Sequence, residues 1–230
     1  MKLKYLGHSC FVIEGKERVV VDPFIRDNPL SPAKVEEVRA DIVAITHGHR
    51  DHLGDGIEIA KNNDATLVAI HEIAVYAASK GVKAEGINMG GGVKVGETEI
   101  YMVQAWHSSG IDEANYTLST SPAGLIIKSD ATIYHAGDTS LFSDMKLIGE
   151  LYKPQVALLP IGGRYTMDAR QAAMAAEMVG AKISIPMHYN TFDAIKQNPM
   201  EFVRAAEAKG IKAIAMKLSL IHISEPTRPY

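Results

Sequence analysis

The chain has 230 residues, of which 47% are hydrophobic and 22% are charged, and its formal net charge is −3. Lysine and arginine (24) do not outnumber aspartate and glutamate (27), which argues against a nucleic-acid-binding surface. No apolar stretch approaches the roughly 20 residues that a membrane helix needs, and the first residues lack the apolar core of a signal peptide. The single cysteine, Cys10, cannot form an internal disulfide. We therefore expect a cytoplasmic protein that binds neither nucleic acid nor membranes.

Secondary-structure signals follow one another without a linker-like segment. Short β-like runs come first, and Ser31 then provides the N-cap of a helix predicted over 31–38. The apolar run 41–46 predicts a buried strand, and the glycine-rich stretch 90–110 predicts a hairpin. The second half contains strands predicted at 123–129, 131–139, 155–162 and 183–189 and helices predicted at 140–152, 167–181 and 198–210. This pattern predicts an α/β protein in which helices cover sheets.

The last residues differ in character from the rest of the chain. Residues 218–230, LSLIHISEPTRPY, resemble the translation of a transposase-type sequencing adapter. Segments of that kind are left out of fold reasoning, so His222 is not considered as a ligand. We expect one domain over 1–217 followed by a non-native tail; a genuine irregular C-terminus is the alternative.

The predicted strand 41–46 leads directly into a loop with the spacing H-x-H-x-D-H. Residues two apart in such a loop can point the same way, so His47 and His49 can bind one cation. Asp51 and His52 lie further on and can reach a second cation. Imidazole nitrogen and carboxylate oxygen suit Zn²⁺ and related metals, whereas an oxygen-only Ca²⁺ or Mg²⁺ site would not use three histidines. The alternative is a polar surface loop with incidental histidines.

Three more metal-competent residues stand at predicted strand ends: His107, Asp138 and His188. Each residue alone is weak evidence for a metal site, because a histidine or aspartate at a strand end commonly forms hydrogen bonds in a turn. With the loop they form two sets of three, His47/His49/His107 and Asp51/His52/His188. The two oxygens of Asp138 can then bridge the sets. This count predicts two divalent transition-metal ions about 3.5–4 Å apart, with zinc favoured and manganese, iron or nickel compatible.

The motifs resemble those of the metallo-β-lactamase superfamily over residues 1–217. The resemblance rests on THGHRDH, His107, GDT with Asp138, and His188. YLGHSCF, VVDPF, YHAGDTSLFSDMKLIGE and IPMHYNTF are similar to its compact branch of metal-dependent hydrolases related to ascorbate-6-phosphate lactonase. The resemblance implies a four-layer αβ/βα sandwich, with the site where the two sheets meet, and metal ligation by the seven residues. The chain departs from this pattern after AIAMK, where a last turn and strand are missing.

Three further residues are assigned roles around the ligands. The resemblance implies that Asp22 holds the ligand loop by hydrogen bonds without binding metal; an Asp-Pro turn is the alternative. It also implies that His8 faces the site, where it could donate a proton or contact a substrate oxyanion; a structural hydrogen bond is equally compatible. His135 precedes Asp138 by three residues, and we expect it to pack beside the site.

Two loops are candidates for substrate binding. The polar loop 107–122 contains Tyr116, and the loop 161–168 contains Arg164. Arg164 could anchor a phosphate or carboxylate, or it could be a solvated turn residue.

The sequence predicts a binuclear metal-dependent hydrolase. In such a site a water bridging the two cations is deprotonated, because metal binding lowers its pKa from 15.7 to about 7. The resulting hydroxide would attack an ester, lactone or phosphoester of a small cytoplasmic metabolite, with Asp51, Asp138 and His8 as the catalytic side chains. A nucleic-acid phosphodiesterase on the same fold and a non-catalytic metal-binding protein are the alternatives. The oligomeric state stays open, and a homo-oligomer is compatible.

Overall fold

The computed structural model describes residues 1–115, 118–218 and 220–222. The strands are β1 (Lys2–Tyr5), β2 (Phe11–Glu14), β3 (Arg18–Val21), β4 (Ile42–Ala44), β5 (Thr66–Ile70), β6 (Ala84–Ile87), β7 (Gly92–Val95), β8 (Thr98–Gln104), β9 (Ala123–Lys128), β10 (Thr132–His135), β11 (Val156–Pro160), β12 (Ile183–Met187) and β13 (Leu220–His222). The helices are α1 (Arg50–Leu53), α2 (Gly56–Asn63), α3 (His71–Ser79), α4 (Met145–Tyr152), α5 (Ala169–Val179) and α6 (Pro199–Glu207). Short 3₁₀ helices lie at Val35–Glu37, Asp112–Ala114 and Asp193–Ile195. No helix in these described ranges is long and apolar enough to cross a bilayer.

The strands form two mixed sheets. The first has the order β13-β1-β2-β3-β4-β5-β6 and the second the order β12-β11-β10-β9-β8-β7. Antiparallel pairing of β1 with β2 and of β2 with β3 leaves β1 parallel to β3, which pairs in parallel with β4. In the second sheet β8, β10, β11 and β12 likewise share one direction. The carboxyl ends of these strands therefore lie at one edge of each sheet.

Successive side chains of the strands point to alternate faces of the sheet, so the core is divided into layers. In β9, Leu125 and Ile127 pack in a cluster with residues of the first sheet, whereas Ile126 packs in the cluster that contains α4, α5 and α6. Successive side chains of a strand point to opposite faces, so the second sheet is buried on both. Helices α2 and α3 pack on β4, β5 and β6 on the far side of the first sheet. The four-layer αβ/βα prediction is confirmed.

One of two predicted local elements agrees with the structure and the other does not. The hairpin predicted in 90–110 is present as β7 and β8. The helix predicted over 31–38 is wrong, because only the 3₁₀ turn Val35–Glu37 forms there. The Ser31 hydroxyl accepts from the Ala33 amide at 3.3 Å, as an N-cap would, but Lys34 has an extended backbone (φ −102°, ψ 152°) that interrupts the predicted helix.

The end of the chain contributes one strand. Leu220–His222 pairs antiparallel with β1, with Lys4 opposite Leu220 and Lys2 opposite His222. Residues of the predicted adapter-coded tail therefore occupy the edge of the first sheet, the position where the resemblance to the superfamily left a strand missing. The assignment of 218–230 as a non-native tail stays a prediction.

Deleting residues 218–230 tests that assignment. We expect metal content to be unchanged, because among the described residues β13 pairs with β1 alone, at the outer edge of its sheet. Losing a three-residue pairing should lower the melting temperature by only a few degrees, since about 1 kcal/mol corresponds to about 2–4 °C in a protein of this size. Thermal denaturation and elemental analysis of both proteins provide the measurement. Loss of cooperative unfolding after deletion would show that the tail is integral to the fold.

Candidate metal centre

The predicted ligands all follow strands that share one direction within their sheet. Residues 47–52 follow β4, His107 follows β8, Asp138 follows β10 and His188 follows β12. The structure brings these residues into three overlapping groups whose potential ligand atoms lie within 4.8 Å of one another. The groups are His47/His49/His107, His47/His52/Asp138 and His8/Asp51/His52/His188.

The first predicted set consists of three imidazoles. The Nε2 atom of His47 lies 3.0 Å from Nδ1 of His49, and the ring of His107 lies 5.3 Å from each of theirs. Burial lowers the pKa of His47 and of His107, because a buried imidazolium loses its hydration. Both rings are therefore held neutral, the form in which a histidine nitrogen can bind a metal.

Asp138 lies between the two predicted sets. Its Oδ2 atom is 3.5 Å from Nε2 of His107 in the first set and 2.9 Å from Nε2 of His188 in the second. Its Oδ1 atom is 3.3 Å from Nε2 of His52. Burial opposes ionisation of Asp138, but His188 and His52 outweigh it and lower the pKa of the carboxyl. A buried carboxylate thus faces ligand atoms of both sets.

Several buried atoms in this cluster lack ordinary partners. Within the described ranges, Nε2 of His52, Nε2 of His188 and Oδ1 of Asp138 make no hydrogen bond of ordinary geometry, although both imidazoles lie within ion-pair distance of the Asp138 carboxylate. Buried polar atoms without partners are costly and rare in folded proteins. Cations coordinated by these nitrogen and oxygen atoms would satisfy them, and the donor set suits borderline divalent metals. The residues present therefore fit a metal site.

Asp22 holds the ligand loop from behind. Its carboxylate accepts hydrogen bonds from the Thr46 amide at 2.8 Å and from the Thr46 hydroxyl at 2.7 Å. It also lies 2.7 Å from Nδ1 of His52. A proton on that nitrogen would donate to Asp22 and leave Nε2 directed at Asp138. Thr46 was not predicted, although its position between a buried strand and the first histidine is a usable signal.

His8 lies behind Asp51. Its Nε2 atom is 3.0 Å from Oδ2 of Asp51 and its Nδ1 atom is 2.9 Å from the hydroxyl of Thr191. The side chain is fully buried, and burial, followed by the nearby His188, lowers the pKa of the imidazole to about 4. These contacts favour a positioning role over direct contact with substrate. Thr191 was not predicted, and no motif marks it.

His135 has both ring nitrogens engaged. Its Nε2 atom lies 2.9 Å from the Ser9 carbonyl oxygen, and its Nδ1 atom accepts from the Gly137 amide at 3.2 Å. The ring also packs edge-on against Phe11. His135 thus supports the turn that precedes Asp138, and its nitrogens are not directed at the cluster.

A cleft of about 370 Å³ opens onto the cluster. Its walls consist of His49, Asp51, His107, Ser108, Asp112, Asp138, Tyr165, His188, Phe192 and Ile195. Arg164 is exposed and is not among them; its guanidinium lies 5.5 Å from the ring of Tyr165. Tyr116 falls outside the described residues. A larger cleft of about 620 Å³, between Phe24 and Lys61, contains none of the clustered ligands, so the smaller one is the candidate substrate site.

Comparison with known proteins agrees with this geometry. The β-lactamase superfamily domain matches residues 17–189. A metal-dependent hydrolase of the UPF0173 family from Methanosarcina mazei is 50% identical over 211 residues, covering 91% of this chain and 92% of the relative. Another from Methanosarcina barkeri is 51% identical, with 94% and 96% covered.

Solved structures give the same result. A metallo hydrolase from the archaeon Ignicoccus hospitalis superposes with a TM-score of 0.88 at 40% identity, covering 97% of this chain and 99% of that one. An isothiocyanate hydrolase from gut bacteria of Delia radicum, at 19% identity and a TM-score of 0.77, shares the fold. The predicted resemblance is confirmed: the chain belongs to the UPF0173 family of metal-dependent hydrolases, within the β-lactamase superfamily.

Proposed function

We propose that this hydrolase is binuclear and acts on an ester, lactone or phosphoester of a small metabolite. The observation that supports two metals is the position of Asp138, whose two oxygens face ligand atoms of both histidine sets. His47, His49 and His107 would hold one cation, Asp51, His52 and His188 the other, and Asp138 would bridge. Zinc suits this donor set best, with manganese, iron or nickel compatible.

When bound, two such cations lower the pKa of a water molecule to near neutrality and polarise the substrate oxygen. The chain's own residues set the geometry for this chemistry. Asp22 fixes the orientation of His52 through its Nδ1 atom, and the buried His47 stays neutral. Asp138 faces the cleft and, as an ionised carboxylate, can orient an attacking water molecule.

We propose that His8 positions Asp51. The 3.0 Å contact from Nε2 fixes Oδ2 of Asp51, and the Thr191 hydroxyl at 2.9 Å fixes the other side of the ring. A ligand carboxylate held in this way needs less reorganisation when it binds metal. This role requires no contact between His8 and substrate, and the walls of the cleft do not include His8.

The first prediction concerns metal content. After reconstitution with Zn²⁺, Mn²⁺, Fe²⁺ or Ni²⁺, the protein should hold two ions per chain, because the seven candidate ligands form two proposed sets with a shared bridge. Native mass spectrometry with elemental analysis measures the stoichiometry. A protein that never retains more than trace metal would rule out the proposal, and a firm limit of one ion would rule out its binuclear form.

The second prediction compares the proposed bridging ligand, Asp138, with Asp22, which contacts the ligand loop without binding metal. Asp138→Ala removes one ligand from each cation and the charge between them, so occupancy of at least one position and turnover should collapse. Asp22→Asn keeps the side-chain shape but replaces one acceptor oxygen with a donor. It should retain metal with an affinity or activity loss of about 10- to 100-fold.

The exposed Asp130 provides the matched control, and Asp130→Ala should behave as wild type. Metal content and turnover are measured for all three variants on one substrate. If Asp138→Ala keeps two tightly bound ions and near-normal turnover, the bridging assignment is wrong.

The third prediction tests the positioning role of His8. His8→Ala should retain metal but lower kcat by about 10- to 100-fold with KM little changed, because Asp51 loses its support. Thr191→Val should act in the same direction more weakly, and Thr191→Ser should restore the wild-type value.

The absorption spectrum of the cobalt-substituted protein reports directly on ligand geometry, so it should change in His8→Ala. An unchanged spectrum with unchanged kcat would show that His8 does not position Asp51.

A further inference from the structure

We propose that the substrate is an uncharged ester or lactone with an apolar substituent, and that phosphorylated compounds are poor substrates. This inference rests on the proposed hydrolytic function and narrows its substrate class. It comes from the walls of the cleft above the ligand cluster, in particular Ser108, Asp112, Tyr165, Phe192 and Ile195.

The cleft lacks a built anion site. Within the ranges that the structure describes, no lysine or arginine lines it. Recognition of a phosphate group outside a metal centre ordinarily uses guanidinium or ammonium groups. Arg164 is exposed and lies over the Tyr165 ring, and Arg50 lines the neighbouring cleft, where it pairs with Asp27. Neither arginine is part of the cleft wall.

Asp112 adds a negative charge to the wall. Its Oδ2 atom accepts from the Arg50 amide at 3.2 Å, which anchors the carboxylate at the cleft. A like charge disfavours an anionic group that is bound beside it. The wall therefore selects against substrates that carry an anionic phosphate, whether it is the reacting group or a substituent.

Two aromatic side chains form the exposed apolar part of the cleft. Phe192 is 42% exposed and Tyr165 is 56% exposed. The Phe192 ring is held by edge contacts with His8 at 5.7 Å and by Phe24 at 6.1 Å. Small-molecule sites use apolar and aromatic walls to bind the substituents of a ligand, and Tyr165, Phe192 and Ile195 form such a wall beside the polar ligand cluster. An apolar substituent beside the carbonyl would cover these rings.

The reaction is a simple hydrolysis. The oxygen of a water molecule bonds to the carbonyl carbon, the bond between that carbon and the ester oxygen breaks, and the leaving oxygen takes a proton. The products are a carboxylic acid and an alcohol, or a hydroxy acid from a lactone. No oxidant, reductant or further reactant is required.

The test uses the metal-loaded full chain with p-nitrophenyl acetate, p-nitrophenyl butyrate, p-nitrophenyl phosphate and bis(p-nitrophenyl) phosphate. We expect kcat/KM for butyrate to exceed that for acetate by about tenfold, because two further methylene groups are buried. Both phosphoesters should be slower than either ester. Phe192→Ala and Tyr165→Ala should each reduce the butyrate advantage. Leu151→Ala, at a residue 72% exposed on α4, is the control and should preserve it.

Charge is tested separately with Asp112→Asn. Removing the carboxylate should raise kcat/KM for p-nitrophenyl phosphate by about tenfold relative to p-nitrophenyl acetate, since a repulsion is lost.

The outcomes distinguish an error in the proposed substrate class from an error in the proposed hydrolytic function. Faster hydrolysis of a phosphoester, above all with a loss in Arg164→Ala, would overturn the substrate class and leave the hydrolytic function intact. Preference for bis(p-nitrophenyl) phosphate would point to a phosphodiesterase. A metal-loaded preparation that hydrolyses none of the four compounds would contradict both proposals.

Discussion

The buried carboxylate of Asp138 is the constraint on which the centre depends. A buried charge must be paired, because its hydration is lost. Among the described residues the groups that pair with it are imidazoles, those of His52, His107 and His188, and not lysine or arginine. Imidazoles can exchange a proton for a metal ion near neutral pH, which an ammonium or guanidinium group does far less readily. Positive charge on an imidazole or on a bound cation would therefore offset the buried carboxylate.

The two sheets supply this arrangement through strand direction. His8, Asp22 and the 47–52 loop follow β1, β3 and β4, which run in one direction in the first sheet. His107, Asp138 and His188 follow β8, β10 and β12 of the second. The segments after these strand ends meet where the two sheets face each other. Their core between the sheets is apolar, so the polar groups gather at its edge, where water, metal and substrate have access.

In the proposed function, the residues that support the metal ligands differ from those that select the substrate. The Asp22 carboxylate contacts Thr46 and His52 beside the ligand loop, whereas His8 contacts Asp51 and Thr191. The apolar wall of the cleft is formed by other residues. One of them, Phe192, also contacts the ring of His8. Substitutions in the apolar wall of the cleft are therefore expected to alter substrate specificity while the geometry of the metal ligands is preserved.

The sequence by itself determined the fold class and the candidate ligands. Period-two and helical patterns are local, and the apolar run 41–46 predicts a buried strand, which is present as β4 (Ile42–Ala44). The spacing from His47 to His52 marked a metal-competent loop, because four candidate ligands, three histidines and one aspartate, fall within six residues. The 31–38 helix was predicted wrongly because the backbone of Lys34 is extended, which leaves only the 3₁₀ turn that follows it.

Only the tertiary structure decided which distant residues meet. The contact between Thr191 and His8 spans 183 positions, and that between His8 and Asp51 spans 43. No local pattern encodes such pairs, since they arise from the packing of one sheet on the other. The same packing turned Tyr165 rather than Arg164 toward the cleft, although the two are adjacent in sequence. Neighbouring residues in a turn project in different directions, and the packing of the surrounding loops determines which one lines the site.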